Sequence, residues 1–265
     1  PDWSRGLGDV YKRQIYNSLF EHLGIVRVSN PHEFLETLKF LCISGSVVGN
    51  KVAAFTCSGG GATMLADYAE KIDLKFNQPS NKVSNVLEKL LPLTATVSNP
   101  LDYTTPIWGQ PEKTGPVFNT FFHDNYDAAI LVQDYLPPNI NELNKFYLYD
   151  AKAFIKEAKL KNLPTIICST VPENNDPDIS NFFVSQGVTP MQGLEEALNA
   201  INRSYKFYQR HQDFSLGKVK VKKSIKSLGA KSSMLNEMES KSILNKIGLA
   251  IPNFFNEKHY SENYK

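Results

Sequence analysis

Three short, unbroken apolar runs constrain this chain more than any other feature: KVAAFT (51–56), DAAILVQ (127–133) and PTIICST (164–170). Each has strand length and is apolar on both faces, the pattern of a parallel sheet covered on both sides. Between them lie stretches with helical spacing. Residues 60–72 follow the first run, and 81–91 carry Val83, Val86, Leu87 and Leu90 at three- and four-residue intervals. Further helices are expected between 112 and 122 and over 143–160. Weaker strands are expected at DLKF (73–76) and, on an edge, at GVTPM (187–191). Residues 193–209 close with a helix on Leu194, Ala197, Leu198, Ile201 and Tyr205. This alternation predicts an α/β fold, a doubly wound, flavodoxin-like parallel sheet of five strands over residues 50–211.

The flanks read differently. Residues 1–13 lack periodicity and an initiator Met, and GDVYKRQ resembles translated adapter sequence, so this segment is read as non-native. Residues 14–49 hold a helix with Ile15, Leu19, Phe20 and Leu23 at helical spacing, stopped by Gly24. A short strand is expected at IVRV (25–28). A helix capped by Asn30 and opened by Pro31 then places Phe34, Leu35, Leu38 and Leu41 on one face. Residues 212–233 are a basic linker, and 234–265 open another domain. Neither end closes a pattern, so the chain reads as an internal piece of a longer protein.

Composition removes several classes. Hydrophobic residues make up 42% and charged residues 21%, with a net charge of +2. That fits a soluble globular protein and argues against a nucleic-acid surface. No run approaches the roughly 18 apolar residues of a membrane span, and no signal peptide is visible. Three cysteines, Cys42, Cys57 and Cys168, show no metal spacing, which points to the reducing cytoplasm and to no metal site. The five histidines, His22, His32, His123, His211 and His259, lie beside no nucleophile and are read as surface or packing residues.

The candidate site is the junction TCSGGGA. Ser58, Gly59, Gly60 and Gly61 end a strand and open a helix, where free amides and the helix dipole favour an anion such as phosphate. The pattern is neither of the glycine fingerprints for dinucleotides or P-loops. A tight turn without ligand is the competing reading. SNPLDYT (98–104) is expected at another strand end, bordering the same crevice with Asn99 and Asp102; helix capping is the alternative for Asp102. Asp134, Ser169, Thr170 and Glu173 occupy later strand-end loops and are read chiefly as loop or capping residues. Trp108 is read as packing. Cys57 sits where a thiolate would be favoured, but no base adjoins it.

Together these loops resemble the NDP-forming acyl-CoA synthetases, acetate–CoA ligases related to succinyl-CoA synthetase. The likeness runs through T-x-S-G-G-G, then L-P at Leu91 and Pro92, N-P-x-D at Asn99 to Asp102, STVPEN, and GVTPMQGLEEALNAI. NEMESKSILNKIGLAIP is similar to the entry of the family's ATP-grasp domain, with Leu249 interrupting the usual pattern. The resemblance implies the second ligase domain of an enzyme that makes acyl-CoA from a carboxylic acid, CoA and ATP, releasing ADP and phosphate. Acyl-phosphate and phosphohistidine are its intermediates. The histidine belongs to a Ser-His-Thr-Gly segment expected upstream of Gln14 and absent here, so no catalytic residue is expected in this chain. CoA, ATP and Mg2+ would serve the intact enzyme, with none held tightly by this piece. Its partners would be the missing ligase and ATP-grasp domains and a second copy. SGGG would be one of two helix N-termini facing the phosphohistidine. Two readings compete: a non-catalytic anion- or metabolite-binding module, and a protein acetyltransferase fused to these domains.

Overall fold

The computed structural model describes residues 3–137, 140–218 and 235–248, with side chains from residue 13 onward. Its centre is a parallel sheet of β1 (Val52–Thr56), β2 (Leu101–Asp102), β3 (Ala128–Val132), β4 (Thr165–Ser169) and β5 (Thr189–Gln192), in the order β2-β1-β3-β4-β5. Two helices precede it, α1 (Trp3–Leu23) and α2 (Pro31–Ile43). The strands are connected by α3 (Gly59–Glu70), α4 (Asn81–Leu90), α5 (Pro111–Phe121), α6 (Asn144–Leu160) and α7 (Pro177–Ser185), and α8 (Leu194–Ser215) follows β5. A second compact unit, Lys220–Lys265, contains α9 (Glu237–Lys246), closed at its start by a capping box between Asn236 and Glu239. The LAIP end of the ATP-grasp-like motif and most of the basic linker lie outside the described residues.

Successive strand residues point to opposite faces. Ala53, Phe55, Ala129, Leu131 and Ile167 meet Val83 and Leu87 of α4, Phe118 of α5, Phe154 of α6 and Phe183 of α7. Val52, Ala54, Ile130, Ile166 and Cys168 meet Phe40 of α2, Leu65 of α3 and Leu198 of α8. The sheet is thus the middle of three layers. Phe55 centres the first core, its ring 4.7–5.6 Å from those of Phe118, Phe121, Phe122 and Phe154.

Three expectations change. DLKF contributes only a single bridge, Lys51 to Lys75; the fifth strand is β2. The outer edge of β1 explains this, because three segments share it in turn. Lys75 exchanges backbone bonds with Asn50 and Val52, the Asn99 side chain covers Val52 and Ala54, and β2 pairs Phe55 and Thr56. Residues 25–28 form no strand, and α1 starts at Trp3, well before Gln14.

Helix α2 forms where expected, with its apolar residues on one side, and that side is turned away from the sheet. Phe34, Leu35 and Leu38 face outward, while Glu33, Glu36, Thr37 and Phe40 are buried. Edge strand β5 supplies the reason. The amide of Gln192 donates to Glu36 Oε2 at 3.0 Å, and His32 Nε2 lies 3.2 Å from the Gln192 carbonyl. Arg203 of α8 meets Glu33 at 2.6 Å. The polar side of α2 covers a sheet edge that would otherwise expose unpaired backbone groups.

Candidate phosphoryl-binding site

β1 lies where the strand order reverses: the chain leaves it for β2 on one side, and β3 pairs with its other side. Ligands of open α/β sheets bind beyond the carboxyl ends of strands at such a point. The first loop there is Cys57–Ser58, and α3 starts at Gly59.

Ser58 is the N-cap of α3. Its Oγ accepts from the Gly61 amide at 3.4 Å, and its own amide donates to Thr56 Oγ1 at 3.2 Å. The amides of Gly59 and Gly60 have no partner among the described residues, and both residues are exposed. The three glycines have different reasons. A Cβ on Gly61 would lie 2.8 Å from Thr56 Oγ1, so close helix–strand packing requires that glycine. A Cβ on Gly59 or Gly60 would meet nothing nearer than 3.5 Å. Packing therefore accounts for one glycine of three.

Asp102 ends β2 beside this turn. Its Oδ1 accepts from the Thr104 amide at 2.9 Å, and its Oδ2 lies 3.5 Å from the Cβ position of Gly59. The structure thus brings Asp102 to the glycine turn. Asn99 is placed elsewhere. It is 3% exposed, and its amide is spent on the Ala54 N–H and on the Val52 and Asn77 carbonyls, turned onto β1 rather than into the crevice.

The other loop residues divide as follows. Asp134 accepts from the amide and hydroxyl of Thr170, each at 2.9 Å, and from Asn174 at 3.0 Å, so the two loops tie each other. Ser169 is buried, and Glu173 is exposed. Trp108 packs on Phe146 and Tyr147 of α6, with ring centroids 5.5 and 4.8 Å away. Burial pushes the Cys57 thiol up to about 11; the Asp150 and Asp102 carboxylates add to this, and a bond with Tyr147 offsets it only in part. Cys57 is therefore a neutral thiol at physiological pH, against the thiolate its helix N-terminus suggested.

Sequence reasoning missed the loop after β2. Thr104 has φ +66°, a region that β-branched residues avoid. Its Oγ1 is buried without a partner among the described residues, as is Trp108 Nε1. Buried polar atoms are nearly always hydrogen-bonded, so two orphans on one crevice loop are unusual. No run of residues announces them, because they depend on how the loop is drawn over α6. Among the described residues no three His, Cys, Asp or Glu side chains gather as a metal site, and no helix is long and apolar enough to cross a membrane.

No family model matches the chain. An ADP-forming acetate–CoA ligase of Methanocaldococcus jannaschii is 27% identical over 88 residues, 33% of this chain and 12% of that protein. The PH0766 protein of Pyrococcus horikoshii OT3 superposes with a TM-score of 0.63 at 21% identity, over 74% of this chain and 44% of its own. The dinucleotide-forming acetyl-coenzyme A synthetase 1 of Ca. Korarchaeum cryptofilum superposes with a TM-score of 0.61 at 17% identity, over 78% of this chain and 44% of its own. That enzyme has also been solved in complex with phosphate and ADP. The chain thus spans less than half the length of these solved structures. The solved structures share the α/β fold of this chain, and the sequence likeness to the acetate–CoA ligase is confined to 88 residues.

Proposed function

We propose that this chain is part of an acid–CoA ligase that forms acyl-CoA from a carboxylic acid, CoA and ATP with release of ADP and phosphate. Its own contribution is one wall of the phosphoryl site. The observation that carries this reading is the pair Gly59 and Gly60: packing requires neither, and both leave an unpartnered amide open at a helix N-terminus. Bare amides aligned with the helix dipole stabilise a phosphoryl dianion through charge-assisted bonds, without reorganising when it arrives.

In this reading the phosphoryl group comes on a histidine from a domain outside this chain. The Ser58 cap holds the first turn in place, so the amides of Gly59 and Gly60 point outward. Asp102 would repel a free phosphate but accepts a hydrogen bond, so it suits the ring N–H of an imidazole carrying the group. Mg2+ would accompany the nucleotide, neutralising phosphate charge on the ATP-grasp side, of which this chain holds no ligand set among its described residues. Residues 50–211 are the second ligase domain in this assignment, and α9 opens the ATP-grasp domain. A module that only senses an anionic metabolite could use the same two amides; turnover separates the two readings.

The test is made on the complete reading frame recovered from the source DNA. The purified enzyme is expected to form acyl-CoA from a carboxylic acid, CoA and ATP. Gly60→Val should keep the circular dichroism and melting of the parent, since a Cβ there meets nothing nearer than Ser58 Oγ at 3.6 Å. It should slow phosphoryl transfer by about 100-fold or more. Unaltered phosphoenzyme kinetics in that variant would remove the anion role of SGGG. A complete enzyme that binds phosphate but makes no acyl-CoA would favour the sensor.

A further inference from the structure

Helix α2 is built inside out. Glu33, Glu36 and Thr37 point inward, whereas Phe34, Leu35 and Leu38 are 53%, 61% and 45% exposed. Cys42 is exposed too. With Leu41, these residues lie at the i, i+1, i+4, i+7 and i+8 positions of one continuous helical stripe. No charged residue interrupts it. The inward acids are committed to β5 and α8 through Gln192 and Arg203, so α2 cannot roll over to bury its apolar side without stranding them.

We propose that the α2 stripe is an interface for a further domain of the same enzyme, one that presents an apolar helix or sheet face. This rests on the proposed function, in which the chain is part of a larger synthetase. Two observations select that occupant over a second copy of this chain. The three half-exposed side chains offer roughly 300 Å² of apolar surface. A freely associating pair needs about 800 Å² on each partner, whereas domains tethered in one chain hold with interfaces of about 600–1,500 Å² in total. The solved relatives also carry the required bulk: more than half of each has no counterpart in this chain.

Cys42 reports on the interface without any mutation. Alkylation of Cys42, followed by peptide mapping, is to be compared in this 265-residue chain and in the complete polypeptide. It should be fast in the first and at least tenfold slower in the second, with α2 amides gaining hydrogen-exchange protection. Leu38→Glu should leave the melting of the 265-residue chain unchanged and restore fast Cys42 labelling in the complete polypeptide. Equal labelling rates in the two forms would overturn the proposal, as would a complete reading frame no longer than this chain. So would concentration-dependent protection of Cys42 in the 265-residue chain, with sedimentation as a dimer, because the occupant would then be a second copy. Acyl-CoA formation is assayed separately. A protected α2 in a protein with no ligase activity keeps the interface and removes the function; the converse keeps the function and removes the interface.

Discussion

A methyl group on Gly61 and one on Gly60 should have opposite consequences, although the two glycines are adjacent. Gly61→Ala drives its Cβ to 2.8 Å from Thr56 Oγ1 at the floor of β1. The strain should cost about 1–3 kcal/mol. Gly60→Ala makes only an ordinary contact with Ser58 Oγ at 3.6 Å and relieves a helical glycine, so it should be neutral or stabilise by up to about 1 kcal/mol. Melting temperatures of the two variants check this; equal losses would mean that the turn needs both glycines for its own geometry. The turn itself was legible in the sequence, because a serine and three glycines between an apolar run and a helical period mark a strand end that opens a helix. The split among the glycines was not, since it depends on Thr56 lying under one of them. Asn99 shows the same limit. Its motif was readable, but its task of standing in for a strand residue along β1 follows from where Lys75 and β2 leave the edge uncovered.

At the scale of elements, one of the two carboxylates that attach α2 should leave a mark on the pH dependence of stability. Burial works against charge on Glu33, but the Arg203 guanidinium and the Ser29 amide outweigh it and hold the carboxyl below its ordinary range. A depressed carboxylate stabilises the fold at pH values above its unfolded pKa. That stability is lost as pH falls through the folded value, below about 4.5. Glu33→Gln should cost roughly 1–3 kcal/mol at neutral pH by leaving Arg203 without its charge partner. It should also flatten the loss of stability expected of the parent as pH falls below about 4.5, by about one carboxylate's worth, which denaturant titrations at a series of pH values would read. An acid limb unchanged in the variant would place the linkage elsewhere. The helix itself was plain in the sequence, from its Asn30 cap, Pro31 and apolar period. Its inward face was not. A period states which residues share a side, and only the unpaired edge of β5 decides that the other side turns inward.

For the whole molecule, the phenols beneath the crevice set an alkaline boundary. Burial, with the Asp150 charge adding to it, holds Tyr103 and Tyr135 well above the usual tyrosine range. Burial also pushes Tyr147 up to about 12 and the Cys57 thiol up to about 11. In the unfolded chain such groups titrate near 10 for tyrosine and near 8.5 for cysteine. Raised values mean that the native state retains protons the unfolded chain releases. The stability they lend is complete below about pH 8.5 and is lost as pH rises through the folded values. Unfolding midpoints should thus be level from about pH 7 to 8 and fall steeply above about pH 10. Tyr135→Phe should make that fall shallower, although it gives up the hydroxyl's 2.6 Å bond to Gln133. A level midpoint through about pH 11 would show that these phenols ionise in place.

The sequence by itself determined the layered α/β class, because short apolar runs and helical periods are local properties that repeat along the chain. It also located the end of β1, and with it the SGGG turn, since glycine and serine chemistry acts over a few residues. Tertiary structure decided which strand completes the sheet, which glycine is structural and which is free, and which way α2 faces. Those outcomes rest on groups far apart in sequence, such as Thr56 under Gly61, Asn99 along β1 and Gln192 beside Glu36. Only the folded backbone brings such groups within hydrogen-bond distance, and unpaired buried polar groups cost enough to override a helix's own apolar pattern.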